Sequence, residues 1–273
     1  MKRKCSIVLA LGCVVLLYGH STAVAQLSSF AVLGGSTVTN TATPTIVNGN
    51  LGVSPGSAVT GFPPGIVTGG TIHAADAAAA QAQSDLTTTY DNLANTSCNT
   101  DLTGQDLGGK TLTAGVYCFS TSAQLTGTLT LDAQGNPNAL FIFKIGSTLT
   151  TASASSVLLI NSASACGVFW QIGSSATLGT GTALAGSIVA LTSITLNTGA
   201  NLNGRALARN GAVTLDDNQV SVCSGGGPGG GGPLFPTFSP AIPTLSEWGL
   251  LSLTGLLVLS GLAAMRAMRR RTT

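Results

Sequence analysis

At 273 residues the chain holds one large domain or two small ones, and its composition favours one domain with processing segments at either end. Only 7% of the residues are charged and 5% aromatic, with 36 glycines; ordinary globular domains carry about 25% charged residues, and disorder requires low hydrophobicity with high net charge. The formal charge of +2 belongs to the termini: without Lys2, Arg3, Lys4, Arg266, Arg269, Arg270 and Arg271, four cations face eight Asp, so the body is acidic and has no basic stripe. That excludes nucleic acid as a partner.

In chain order, Lys2-Arg3-Lys4 precedes the apolar run Ile7 to Tyr18 and the small-residue site Ala23-Val24-Ala25. This is a signal peptide over residues 1–25, with Gln26 the first mature residue. Cleavage before Cys13 as a lipoprotein is the rival, opposed by the poor match of Ala10-Leu11-Gly12, and a retained anchor is opposed by the well-formed cleavage site.

The body spans residues 26–223. Phe30 to Asn40 begins strand-like, with Val38 flanked by Thr37 and Thr39 on the opposite face, and Asn48 to Pro55 is turn-rich. His73 to Asn95 breaks the pattern: Ala75, Ala79, Ala82, Leu86 and Leu93 fall on one helical face. A helix of some 20 residues measures about 30 Å, equal to about six strand spacings of 4.8 Å. It therefore fits alongside a stack of strands.

From Cys98 onward the chain alternates as strands do. Leu178, Gly186 and Ala190 recur as Leu196, Gly204 and Ala208, and Ala-Thr-Leu at 176–178 returns as Ile-Thr-Leu at 194–196 and Val-Thr-Leu at 213–215. A period near 18 residues built from Thr, Val, Ile and Gly marks rungs of a β-solenoid. Ile145-Gly146-Ser147 recurs as Ile172-Gly173-Ser174 at an interval of 27, so the solenoid is irregular.

Four cysteines remain after the signal peptide leaves: Cys98, Cys118, Cys166 and Cys223. In an oxidising compartment they allow three pairings. Cys98–Cys118, closing a loop after the helix, and Cys166–Cys223, fastening the last strand, are favoured. A metal site is the alternative, but no pair has Cys-x-x-Cys spacing and His73 is the one histidine of the body.

Catalysis is not expected. The body has no Glu, and no nucleophile–base pair is visible. Asp216 and Asp217, adjacent on an expected strand, would point to opposite faces. Asp101 and Asp106 suit backbone hydrogen bonds in turns, and Asp132, Asn136 and Asn138 read as an ordinary polar loop rather than calcium ligands. No cofactor is required.

With Leu178, Leu196 and Leu215 inward, Thr177, Thr195 and Thr214 stand outward in one column, which Thr148 and Thr150 extend. Thr198, with Thr180, offers a second column that reaches Asn201. Rows of hydroxyl and methyl groups on a rigid backbone hold water in order. Thr is also a good strand residue with no ligand at all.

Residues 224–241 form a Gly/Pro linker. Beyond it come Ile242, Pro243, Thr244, Leu245, Ser246, Glu247, Trp248 and Gly249, an apolar run from Leu250 to Met265 and an Arg-rich tail. The run is barely long enough to span a bilayer, and the Arg cluster places the body outside the cytoplasm. Residues 242–273 resemble an IPTL-CTERM sorting signal. The resemblance implies transient anchoring in the inner membrane, cutting by an exosortase-type peptidase, and a final place at the cell surface or outside the cell. A permanent anchor is the alternative.

The body resembles the microbial ice-binding β-solenoid family over residues 27–222. The matching stretches are Phe30 to Gly34, Val47 to Val53, Ala82 to Leu86, Gly115 to Phe119, Leu196 to Gly199 and Gly204 to Ala208. The resemblance implies a mainly β fold, an irregular, discontinuous right-handed parallel β-helix with one long α-helix beside it. It also implies adsorption to ice through one flat face, often around Thr-Ala/Gly-x-Thr/Asn steps. Thr198-Gly199-Ala200-Asn201 and Thr68-Gly69-Gly70-Thr71 fit that pattern; Thr151-Ala152-Ser153-Ala154 and Thr180-Gly181-Thr182-Ala183 depart from it. The expected function is an exported protein that inhibits ice growth and recrystallisation. The alternative is a structural or adhesive surface protein without ice activity.

Overall fold

The 18-residue interval is one circuit of the chain through three strands: Phe169 lies beside Ser187, and Ile188 beside Ala206. The computed structural model describes residues 27–223, Ala42 excepted. Within them, 24 strands form three sheets in which every pairing is parallel, together with one α-helix and one short 3-10 turn. The expected signal peptide, linker, sorting motif and apolar run lie outside the described residues. Among the described residues no helix is long and apolar enough to cross a membrane.

Each rung visits the three sheets in turn. One complete rung is Val168–Ile172 in the first sheet, Ala176–Leu178 in the second and Ala183–Ala185 in the third. A glycine closes the circuit. A Cβ on Gly204 would stand 2.0 Å from the carbonyl oxygen of Gly186, so stacked rungs admit only glycine at that corner. This close approach explains why Gly186 and Gly204 repeat in the sequence.

The earlier circuits are longer, with Ile142 and Phe169 paired across 27 residues. Their strands run to five residues, as in Phe141–Ile145 and Ser156–Ile160, against three in Ile194–Leu196 and Ala206–Ala208. Larger side chains fill this end. Phe143 stacks on Trp170 at 4.1 Å between centroids and on Tyr117 at 5.5 Å. The same inward column continues through Ile188 to Ala206.

The order of strands in space is not their order in sequence. The first three strands, Phe30–Gly34, Thr37–Asn40 and Ile46–Asn48, stack on Ala206–Ala208, Val213–Leu215 and Gln219–Ser221. Asn50–Val53, Ala58–Thr60, Ile66–Thr68 and Ile72–Ala74 continue the stack and end it. The helix Ala77–Asn95 then carries the chain back along the first sheet to begin the long rungs at the other end.

That helix starts at Ala77, four residues later than the Ala-rich pattern suggests, because His73 still belongs to the strand Ile72–Ala74 and Ala75 takes a φ of 54°. Asp76 caps it by accepting from the Ala79 N–H. Ala79, Ala82, Leu86, Tyr90 and Leu93 are buried on one side, against strands of the first sheet. Arg209 fastens the helix by donating to Thr87, lying 3.5 Å from Asp91 and standing over the Tyr90 ring. Cys98 is bonded to Cys118 and Cys166 to Cys223, the favoured pairings. The second bond ties the end of the last rung to the start of one two circuits earlier.

Candidate functional site

Of the three sheets, the first is covered by the helix. The third presents a different residue at nearly every level of its leading outward column: Thr128, Ser156, Ala183, Asn201, Gln219, Ile46 and Ile66. Only the second sheet repeats itself. Its strands alternate inward apolar residues with an outward centre, as in Ile194, Thr195 and Leu196, where Ile194 and Leu196 are buried.

The outward centres align in register as Gln124, Thr150, Thr177, Thr195, Thr214, Thr39 and Thr60. Six threonines on six adjacent strands thus form one straight column, spaced at about 4.8 Å. Two residues back along each strand, about 6.6 Å away, runs a second column of Ser122, Thr148, Ser175, Ser193, Ala212, Thr37 and Ala58. Neither column contains a charged residue.

The two columns differ in how their hydroxyls are engaged. In the second, Thr148 donates to Ser122 at 2.8 Å, Ser175 accepts from the Ser193 N–H, and Ser193 accepts from the Ala212 N–H. In the first, Thr60 donates to Thr39 at 3.2 Å. Among the described residues, the hydroxyls of Thr150, Thr177, Thr195 and Thr214 have no protein partner, which leaves them to bond water.

The candidate residues therefore separate. Thr150, Thr177, Thr195 and Thr214 share one column, while Thr148 stands in the neighbouring one. Thr198 lies outside both, at the corner between the second and third sheets, where its hydroxyl donates to Asp216. Asn201 belongs to the third sheet, on the strand Asn201–Asn203, and its side chain accepts from the Gln219 N–H. A Thr-Gly-Ala-Asn step turns the chain through a corner, so its first and last residues face different ways. Thr39 and Thr60 complete the column and were not singled out from the sequence. The Thr37-Val38-Thr39 alternation marks Thr39 as outward and no such pattern marks Thr60; only the return of the N-terminal strands to the last rung puts Thr39 beside Thr214 and Thr60 beside Thr39.

The corner is built by asparagines and aspartates, not by a strand. Val213–Leu215 ends before Asp216, and Asp217 has a φ of 55°, so the two carboxylates sit in a turn rather than on opposite faces of a strand. Buried Asn218 donates to the carbonyls of Asn197 and Ala200, and its side chain accepts from the Asp216 N–H. Asp101 accepts from the Thr103 N–H, Asp106 from those of Gly108 and Thr126, Asp132 from Gln134 and Asn161, and Asn136 from the Asn138 N–H.

These bonds hold several carboxyls below their ordinary value of 3.8. The backbone N–H of Ala79, then His73, lowers Asp76. The Thr103 hydroxyl and N–H lower Asp101, and the Thr198 hydroxyl, then those of Thr41 and Thr43, lower Asp216. In Asp106, burial pushes upward but donors from Thr126 and Gly108 outweigh it. Asp85 moves the other way, raised by burial.

A depressed folded-state value adds stability that is complete above the unfolded value and lost as pH falls through the folded one. The melting temperature is therefore expected to hold from neutrality to about pH 4 and to drop on acidification to about pH 2. A melting temperature that stays level or rises over that last interval contradicts the assignment.

The model of a family described as ice-binding-like matches residues 32–221. An "Ice-binding protein" of Nostoc sp. (strain HG1) is 65% identical over 195 residues, covering 71% of each chain. The crystal structure of an ice-binding protein from an Antarctic biological consortium superposes with a TM-score of 0.70 at 42% identity, over 80% of this chain and 96% of the other. That of an ice-binding protein from the Antarctic ascomycete Antarctomyces psychrotrophicus gives 0.70 at 41% identity, over 73% and 97%.

Proposed function

This chain belongs to the ice-binding-like family, and from that membership we propose that it adsorbs to ice through the outer face of the second sheet and so inhibits ice growth and recrystallisation. The observation that carries the choice of face is the column Thr150, Thr177, Thr195, Thr214, Thr39 and Thr60. It is straight, uncharged and repeated on successive strands.

A threonine offers water one hydroxyl and one methyl. Held on a parallel sheet, these groups repeat from strand to strand along the column, beside a second column of small Ser, Thr and Ala residues. Waters bound to such a face are ordered with little further loss of side-chain freedom, because β-branched residues are already stiff. Each contact is weak, and adsorption depends on many acting together on a surface organised in advance. None of this requires a catalytic step.

Export accords with the two disulfides, which form in oxidising compartments. We extend the proposal to passage through the inner membrane, processing at the Ile242 to Gly249 motif by an exosortase-type peptidase, and retention at the cell surface or release. The decisive measurement is ice recrystallisation with the exported chain at micromolar concentration. Arrested coarsening of grains is the expected result. Coarsening at the rate of buffer would sink the proposal and leave a structural or adhesive surface protein as the reading.

A further inference from the structure

The stack ends at the strand Ile72–Ala74, and this end carries chemistry that the adsorption face does not use. The sequence shows no nucleophile–base pair, yet folding makes one here. Thr71 directly precedes the strand and His73 lies within it, and the two side chains meet with Thr71 Oγ1 2.9 Å from His73 Nε2. The chain then turns into the helix and brings Asp76 Oδ2 to 2.7 Å from His73 Nδ1.

Each member is held by something else. The other carboxylate oxygen of Asp76 accepts from the Ala79 N–H at 2.8 Å, which fixes the group as the helix cap. Phe30 packs against the imidazole with ring centroids 5.3 Å apart. Phe30 fits there because Gly52, the register partner of His73, has no side chain: a Cβ would stand 2.5 Å from the Phe30 ring. The Thr71 N–H donates to Asn50 Oδ1 at 2.9 Å, and its carbonyl accepts from Leu51.

Asp76 is held as a carboxylate by its donors. With the ring proton on Nδ1, His73 donates to the Asp76 carboxylate and its Nε2 lone pair accepts from the Thr71 hydroxyl. The order of donation is that of nucleophile, base and orienting carboxylate. Thr71 is exposed and borders a shallow, open groove beside Phe62, Pro63, Ile66, Val67 and Ile72. Ile66 and Ile72 are 49% and 43% exposed, leaving their apolar side chains open to an acyl group.

We propose that Thr71, His73 and Asp76 form an acyl-transfer site that hydrolyses short-chain aryl esters, the acyl chain lying in the adjoining groove. Thr71 Oγ bonds to the acyl carbon while Nε2 takes its proton, and the aryl oxide leaves with that proton. Water then bonds to the acyl carbon, its proton passes by His73 to Thr71 Oγ, and the carboxylic acid departs. One ester and one water become one acid and one phenol. The site is separate from the threonine columns and does not rest on the ice-binding proposal.

The test uses the exported chain with p-nitrophenyl butyrate as substrate, followed by labelling with a fluorophosphonate. Thr71→Val and His73→Gln are each expected to lower kcat/KM by about 10²-fold, the contribution of a positioned base, while Thr71→Ser retains activity. The label is expected on Thr71 by mass spectrometry and absent from His73→Gln. Ice recrystallisation inhibition should be unchanged in all variants, which also reports that they fold. Equal hydrolysis by the wild type and Thr71→Val, or a wild type that takes no label at Thr71, overturns the proposal.

Discussion

Tyrosine in place of Thr195 is expected to reduce recrystallisation inhibition at least tenfold while changing stability by no more than about 0.5 kcal/mol. Thr195 lies midway along the second sheet, with Thr177 on one side and Thr214 on the other. Its Cβ points outward between buried Ile194 and Leu196. A phenol ring there stands clear of the plane and props the neighbouring threonines away from a flat solid. Because adsorption sums many weak contacts, one protrusion at the centre disables more than its own position. Thr60→Tyr, at the end of the same column, should weaken activity less. Asn201→Tyr, on the third sheet, should leave it intact. Loss of activity in Asn201→Tyr with full activity in Thr195→Tyr would move the face to the other sheet.

The largest effect on stability is expected from Trp170→Ala, at about 3–5 kcal/mol. Trp170 is fully buried, stacks on Phe143 at 4.1 Å, and donates from its indole N–H to the Ala185 carbonyl at 3.0 Å. Removing it opens a void where the long rungs meet the short ones and leaves a buried carbonyl without its donor. Trp170→Phe keeps most of the stack and loses mainly the hydrogen bond, so it should cost about 1–3 kcal/mol. Urea unfolding followed by circular dichroism measures both. Near-equal losses for Ala and Phe would show that the hydrogen bond, not the packing, dominates.

Much of this architecture is legible in the amino acids because a solenoid turns spatial repetition into sequence repetition. Leu178, Leu196 and Leu215 announce the inward ladder, and the threonines before them announce the outward one. The helix is legible from its alanines, although His73 and Ala75 hid its starting point. Resemblance to a known family added the expectation of ice, which spacing alone does not contain.

What the sequence does not display is which rung lies beside which. Thr39 and Thr60 join the column through pairings of residues far apart in the chain, and no local pattern marks that return. Asn201 was grouped with Thr198 because the two are three residues apart, yet a corner held by Asn218 separates their faces. The pairing of Thr71, His73 and Asp76 was hidden for the opposite reason. All three are neighbours in sequence, but a strand end and a helix cap must meet before they form one cluster.

The return of the N-terminal strands to the last rung also has a kinetic consequence. Ser28 accepts from Arg205 across 177 residues, and Thr45 accepts from Asn218 across 173. Contacts of such separation make folding slow, because loop closure must precede any reward from pairing. The short rungs can stack on one another as they emerge from the ribosome or the export channel. The level where Thr214 meets Thr39 forms only after residues near both ends of the body are present. A nascent chain therefore carries the threonine column as two separate pieces, Thr39 with Thr60 and Thr150 to Thr214, which join only once the strand Val213–Leu215 is available for pairing.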